Sequence, residues 1–173
     1  MSAARRGHPT FGPLTRQRPR AGPLFAIAAI ASFAAVAAAM ASQHAFGMEP
    51  CPWCVLQRLV FVAIGVLALL GLAWRSPAGT RVAGGLALLL ATAGLGAALW
   101  QYFVASRSAS CNLTLADRIV NATGLNALLP DVFEARASCA DAAVSLLGLP
   151  YEVWSGALFI GLGLLMLIAL RRT

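Results

Sequence analysis

The sequence predicts an all-α membrane protein, a four-transmembrane-helix bundle with a long outer loop carrying short surface helices. Three observations lead there. The chain of 173 residues is 60% hydrophobic and only 11% charged, and its apolar residues fall into four runs of about 20, the length that crosses a bilayer as a helix. The charges are sorted by connection. The four cysteines all fall in the acid-containing connections.

The sorting of charge sets the orientation. Arg5, Arg6, Arg16, Arg18 and Arg20 precede the first run, Arg75 and Arg81 separate the second from the third, and Arg171 and Arg172 follow the last, with no acid among them. All six acids, Glu49, Asp117, Asp131, Glu134, Asp141 and Glu152, lie in the other two connections. The positive-inside rule then places both termini in the cytoplasm and every cysteine outside. A basic balance of this origin reports orientation, so nucleic-acid binding is set aside. An outer compartment of periplasmic type is oxidising, and disulfides persist there.

Taken in order, residues 1–21 are rich in Arg, Pro and Gly without apolar periodicity and predict a disordered basic cytoplasmic tail. Residues 22–173 form the transmembrane domain, with spans at about 22–41, 55–74, 82–104 and 153–170 and outer loops 42–54 and 105–152. The first run, with its basic start and the small residues Ala37 to Ala41, also has the form of a cleavable leader. Its apolar stretch exceeds the usual 7 to 15 residues or so, which favours a span. Glycines 84, 85, 94 and 96 predict close helix packing along the third span. Trp100, Tyr102, Tyr151 and Trp154 mark the outer boundary and Trp74 the inner one. Leu115, Ile119, Leu128, Leu129, Val132 and Phe133 alternate with charges in the long loop, a composition suited to short helices on a bilayer surface. The sequons at Asn112 and Asn121 are short patterns and read as chance matches.

The chemistry centres on the stretch PCPWCVLQR, residues 50–58. Two thiols three apart at a helix start can close and reopen a disulfide, because the helix N-terminus favours a thiolate. Pro52 suits the first helical turn. With Cys51 at the cap, Cys51, Cys54 and Arg58 line one helical face. Arg58 then has two tasks open to it, stabilising the Cys54 thiolate or stabilising charge on an acceptor between the helices; the plain alternative is a snorkelling arginine. Gln57 and Gln101 offer amides to a carbonyl ligand, though polar residues near span ends are common. For Cys51 and Cys54 a redox pair is weighed against a static disulfide and half of a metal site. The metal reading is weak because Cys111 and Cys139 form no second CxxC. A thioredoxin-like domain is excluded, since that motif needs a βαβ setting. Cys111 and Cys139 are either an ordinary loop disulfide or an exchangeable one, and spacing favours neither.

The CxxC followed by arginine at the head of the second span, the cysteine pair in the long loop, and LPDVFEARASCADAAVSLLGLPYEVWS together resemble the bacterial disulfide bond formation protein B family, DsbB. The resemblance covers about residues 22–170. It implies a protein-dithiol:quinone oxidoreductase of the bacterial inner membrane that reoxidises a periplasmic DsbA-like thiol oxidase and passes two electrons to ubiquinone or menaquinone. By the same resemblance Cys111 is attacked by the partner, Cys139 is its disulfide partner and relays to Cys51, Cys54 meets the quinone, and Arg58 assists it. Two other readings stay open at this stage: a dedicated paralogue for particular secreted substrates, and a metal-binding or structural membrane protein with four outward cysteines. A reductase like the vitamin K epoxide reductase family has its loop cysteines before the CxxC, the reverse of the order here.

Overall fold

The structure is a computed structural model and describes residues 21–74, 76–107, 114–146 and 148–173. Its frame is four long apolar helices, α1 (Gly22–Phe46), α2 (Pro52–Ala73), α3 (Pro77–Phe103) and, after a long connection, α7 (Tyr151–Arg172). Each is long and apolar enough to cross a membrane. The four-helix class predicted from the apolar runs is the class observed. The helices run a few residues past those runs, as at Ser42 to Phe46, because polar residues continue a helix once it is started.

Local sequence sets the helix starts. Pro23, Pro52 and Pro77 stand in the first turns of α1, α2 and α3, where a missing N–H is harmless. Ser76 caps α3 by accepting from the Gly79 amide at 3.2 Å. Gly47 ends α1 in the left-handed conformation, φ 65°.

α1 packs on α2, α2 on α3 and α3 on α7, and α1 also touches α7, closing the ring. Packing is by small residues inside and large ones outside. Ala28, Ala29, Ala68, Ala87 and Ala91 are buried, whereas Ile30, Leu69, Leu89, Ile160 and Leu164 are exposed on the outer surface. That inversion suits a lipid solvent, which is as apolar as leucine and leaves close backbone approach as the source of helix attraction. Phe61 and Phe159 stack at the centre with ring centroids 4.1 Å apart.

Glycine makes room for the aromatic rings. A Cβ on Gly94 would strike the Phe159 ring, and one on Gly71 would meet Phe25 at 2.5 Å. Gly85 and Gly96 face open space instead, so only part of the glycine series of α3 serves packing.

The connection between α3 and α7 begins with a turn of 3-10 helix at Ala105–Arg107. It continues as three short helices, α4 (Leu115–Thr123), α5 (Leu125–Leu128) and α6 (Pro130–Phe133), and a two-stranded hairpin, β1 (Ser145–Leu146) with β2 (Leu149–Pro150). A reciprocal capping box of Thr114 and Asp117 starts α4. Its buried Ala116 and Val120 join Phe133 against Val55 and Leu56 of α2. Leu115, Ile119, Leu128 and Leu129 remain exposed. The connection is pinned to the CxxC entry by the amides of Arg136 and Ala137, which donate to the Pro50 carbonyl at 2.9 and 3.3 Å. At the opposite end of the bundle Arg81 donates to the Thr173 carbonyl at 3.2 Å. The arginine-rich end and the cysteine end are therefore opposite ends.

Candidate functional site: a thiol cluster beside a lipid-side cavity

Cys51 is the N-cap of α2, and its sulfur accepts from the Cys54 amide at 3.2 Å. One turn of helix brings the two sulfurs side by side at 2.7 Å. Cys139 joins them from the long connection, packed with Cys51 and Ala105 in one buried cluster. The contact of the Cys51 thiol with the Cys139 sulfur pushes Cys51 above the usual thiol range and holds Cys139 below it. Cys51 thus stands between two possible disulfide partners. Cys111 lies outside the described residues.

Polar side chains converge on the far side of Cys54. Gln57 donates to Gln101 Oε1 at 2.7 Å, and Gln101 Nε2 donates to Cys54 Sγ at 3.3 Å and to Glu152 Oε1 at 3.2 Å. Gln57, Gln101 and Glu152 are all buried. The chain of amides satisfies them and fixes which end of Gln101 faces the sulfur.

Arg58 is buried one turn below Cys54. Its Nη1 donates to Gln43 Oε1 at 2.8 Å and to the Val132 carbonyl at 3.2 Å, and Nη2 to the Ala39 carbonyl at 3.4 Å. The guanidinium is therefore held by α1 and α6, and the side-chain donor seen on the Cys54 sulfur is Gln101. Gln43 also donates to the Asp131 carbonyl at 3.4 Å, so one glutamine ties α1, α2 and α6 together.

A cavity of about 230 Å³ opens beside these groups, lined by Cys54, Gln57, Arg58 and Gln101, by Tyr151, Trp154 and Ser155 of α7, and by Phe61, Leu158 and the alanines 35, 38 and 39. Its chemistry is apolar walls with amide and guanidinium donors grouped at one end next to a sulfur. That donor set fits a flat ring bearing carbonyl oxygens, and the volume suits a ring head group rather than a whole lipid-tailed molecule. A larger open groove of about 1180 Å³ lies on the other side of the cluster, lined among others by Trp53, Trp100, Asp117, Arg136, Cys139 and Asp141.

Comparison with known proteins bears on this arrangement. The family model described as Disulfide bond formation protein DsbB matches residues 20–169. The chain belongs to the DsbB family. It is 34% identical over 145 residues to Disulfide bond formation protein B of Herminiimonas arsenicoxydans, covering 83% of this chain and 90% of that protein. It is 34% identical over 149 residues to the protein of the same description from Ralstonia nicotianae, covering 86% and 92%. A third, from Aromatoleum aromaticum, is 38% identical over 117 residues, covering 65% and 70%. No solved structure matches the chain at a significant level. DsbB membership makes the chain a multi-pass membrane protein of disulfide bond formation, a disulfide-forming oxidoreductase that exchanges with a thiol partner.

Of the residues singled out from sequence, Cys54, Gln57, Arg58 and Gln101 line one cavity, and Cys51 and Cys139 share one cluster. Gln43, Tyr151 and Glu152 carry no site role from the sequence, where Tyr151 reads as a boundary aromatic and Glu152 as one of the outer acids. Glu152 looks in sequence like an acid at a helix N-terminus, where the macrodipole accounts for it. Gln43 carries a signal only in hindsight, as a polar residue near the end of an apolar run, facing the arginine of the next.

Proposed function

We propose that this DsbB-family protein is a quinone-dependent thiol oxidase that reoxidises a periplasmic DsbA-like protein. The observation that carries the reading is the position of Cys54, whose sulfur is 2.7 Å from Cys51 on one side and forms the wall of the donor-lined cavity on the other. In this reading residues 22–173 work as one transmembrane unit in the bacterial inner membrane, with the 1–21 tail and the C-terminus in the cytoplasm.

The thiol side follows from exchange chemistry. The partner's thiolate attacks Cys111 of a Cys111–Cys139 disulfide, the pairing the family resemblance implies, and Cys139 leaves as a thiolate. Cys139, packed against Cys51 in the same buried cluster, is then placed for the next attack. Cys139 then bonds Cys51, and Cys54 leaves with the electron pair of the Cys51–Cys54 bond. The helix N-terminus and the Gln101 N–H stabilise that charge.

On the lipid side, Arg58, Gln57 and Gln101 hold and orient the acceptor, and Phe61, Leu158 and Trp154 exclude water from it. A bound quinone supplies an acceptor for two electrons and two protons, a stronger oxidant than most dithiol pairs. Arg58 reaches this cavity while anchored to the Val132 carbonyl, so the loop and the acceptor site share one residue.

The test is quinone reduction followed by absorbance, with purified protein, a reduced DsbA-like substrate, and ubiquinone and menaquinone analogues. Wild type turns over and Cys54→Ser falls to background. Absence of turnover in wild type with all four cysteines intact would sink the reading.

A further inference from the structure

The open groove beside the thiol cluster has no occupant in the electron path just described, and it is built unlike the acceptor cavity. At about 1180 Å³ it exceeds the roughly 300 to 1,000 Å³ of a small-molecule pocket. It is a gap between two elements, because α4 packs on α2 rather than across to α3. Leu115 and Ile119 of α4 line one side and Trp100 and Val104 of α3 the other, and all four are exposed. The groove is also deep. Its wall on α2 runs from Pro52 to Val60, and its wall on α3 from Val104 back to Ala93. At about 1.5 Å of rise per residue these stretches descend about 12 and 16 Å, close to the half-thickness of the ~30 Å hydrocarbon core. Gly96 keeps the trough open, since it is exposed and a Cβ placed on it would meet nothing within 4 Å.

The chemistry of the groove changes along its length. The deep part, Leu56, Val60, Ala93, Gly96 and Ala97, is apolar, whereas the outer rim carries Asp117, Arg136 and Asp141. Trp53 and Trp100, ring centroids 6.3 Å apart, stand between the two parts, as tryptophans do where hydrocarbon gives way to headgroups. Arg136 is paired with Asp131 and Glu134; the carboxylates of Asp117 and Asp141 accept from Thr114 and Ser138, and among the described residues neither joins an ion pair.

We infer that the groove is a phospholipid site. One lipid of the leaflet on the cysteine side lays an acyl chain in the trough between α2 and α3, and its headgroup, bearing phosphate and a primary ammonium, rests on the rim. Arg136 takes the phosphate, and Asp117 and Asp141 take the ammonium. A purely anionic headgroup would leave both carboxylates unanswered and bring more negative charge beside them. A peptide of the thiol partner fits less well, because unpaired backbone N–H and C=O groups find no water at the depth of Val60 and Ala93. The chain supplies the packing that α4 lacks toward α3, so the lipid fastens the long connection to the bundle where the protein leaves a gap.

The test uses full-length protein reconstituted into vesicles of equal phosphatidylethanolamine and phosphatidylglycerol, extracted in mild detergent and weighed intact by native mass spectrometry. Wild type keeps one phosphatidylethanolamine, favoured over phosphatidylglycerol by roughly twofold to fivefold, the range of an exposed ion pair. Gly96→Leu fills the trough without striking a neighbour and loses the lipid, whereas Gly85→Leu, at another open position of α3 nearer its opposite end, keeps it. Asp141→Asn keeps a lipid and loses the preference. Wild type retaining no lipid, or both lipids equally, overturns the inference, and so does the same behaviour in both glycine variants. Release of the lipid on adding the reduced DsbA-like protein would give the groove to that partner and overturn it too. The wild-type preference and its loss in Asp141→Asn judge the site even where a leucine variant does not fold.

Discussion

The two sides of the first turn of α2 differ sharply in what they present. On one side Cys51 is buried against Cys139, which lines an open groove rimmed by Asp117, Arg136 and Asp141. On the other, Cys54 meets a small apolar cavity whose polar groups include amides, a guanidinium and hydroxyls. Cys51 is fully buried against Cys139, whose residue lines the groove, while Cys54 lines the cavity, so residues three apart are coupled to two separate spaces. The difference teaches that the helix turn itself is the coupling element, since the sulfurs are adjacent while their surroundings share almost nothing.

If that division is right, variants on the groove side and on the cavity side must fail in different ways. The largest effect is expected from Cys139→Ser, which leaves Cys111 without its resolving thiol. Mixed with the oxidised partner, the free Cys111 thiolate attacks the partner's disulfide, one partner sulfur leaves as a thiolate, and the mixed disulfide accumulates as a reducible band on gels. Failure to trap any partner through Cys111 would break the relay.

Arg58→Ala belongs to the cavity side. Loss of a charge-assisted contact of about 1.5 to 3 kcal/mol corresponds to roughly a tenfold to hundredfold rise in KM for quinone. The rate of thiol exchange at Cys111 stays at the wild-type value. An unchanged dependence of rate on quinone concentration would remove Arg58 from the site.

Gln43→Ala acts through Arg58, whose Nη1 it accepts at 2.8 Å. The net worth of such a bond, about 0.5 to 1.5 kcal/mol, predicts a KM rise of roughly twofold to tenfold. In the Arg58→Ala background the same change should do almost nothing, which a double-mutant cycle tests.

The subtlest comparison is within the groove itself. A thiol reacts as its thiolate, so the lowered proton affinity of Cys139 moves its alkylation to lower pH and the raised affinity of Cys51 moves its own to higher pH. In reduced protein without quinone, alkylation followed per cysteine by mass spectrometry should reach Cys139 at lower pH than Cys51. Coincident profiles would mean that the two sulfurs do not share a proton.

The helices were legible in the sequence because apolar length alone decides whether a segment spans. Their rotation was not. α1, α3 and α7 are apolar almost all round, so no stripe says which face turns inward. For that reason the pairing of Gln57 with Gln101 and the grip of Gln43 on Arg58 appear only once the helices are packed. The CxxC escapes this difficulty, since Cys51 and Cys54 belong to one helix turn and Pro52 fixes where that turn begins. Gly85 and Gly96 show the reverse failure, small residues that look like packing positions and face open space.

The Pro50 carbonyl, held by the amides of Arg136 and Ala137, has a kinetic meaning. By holding the segment that carries Cys139 beside Cys51 it raises the effective concentration of one sulfur at the other above what chain connection alone would give. In the proposed relay that pre-set proximity favours Cys139 over a small-molecule thiol as the group that reaches Cys51.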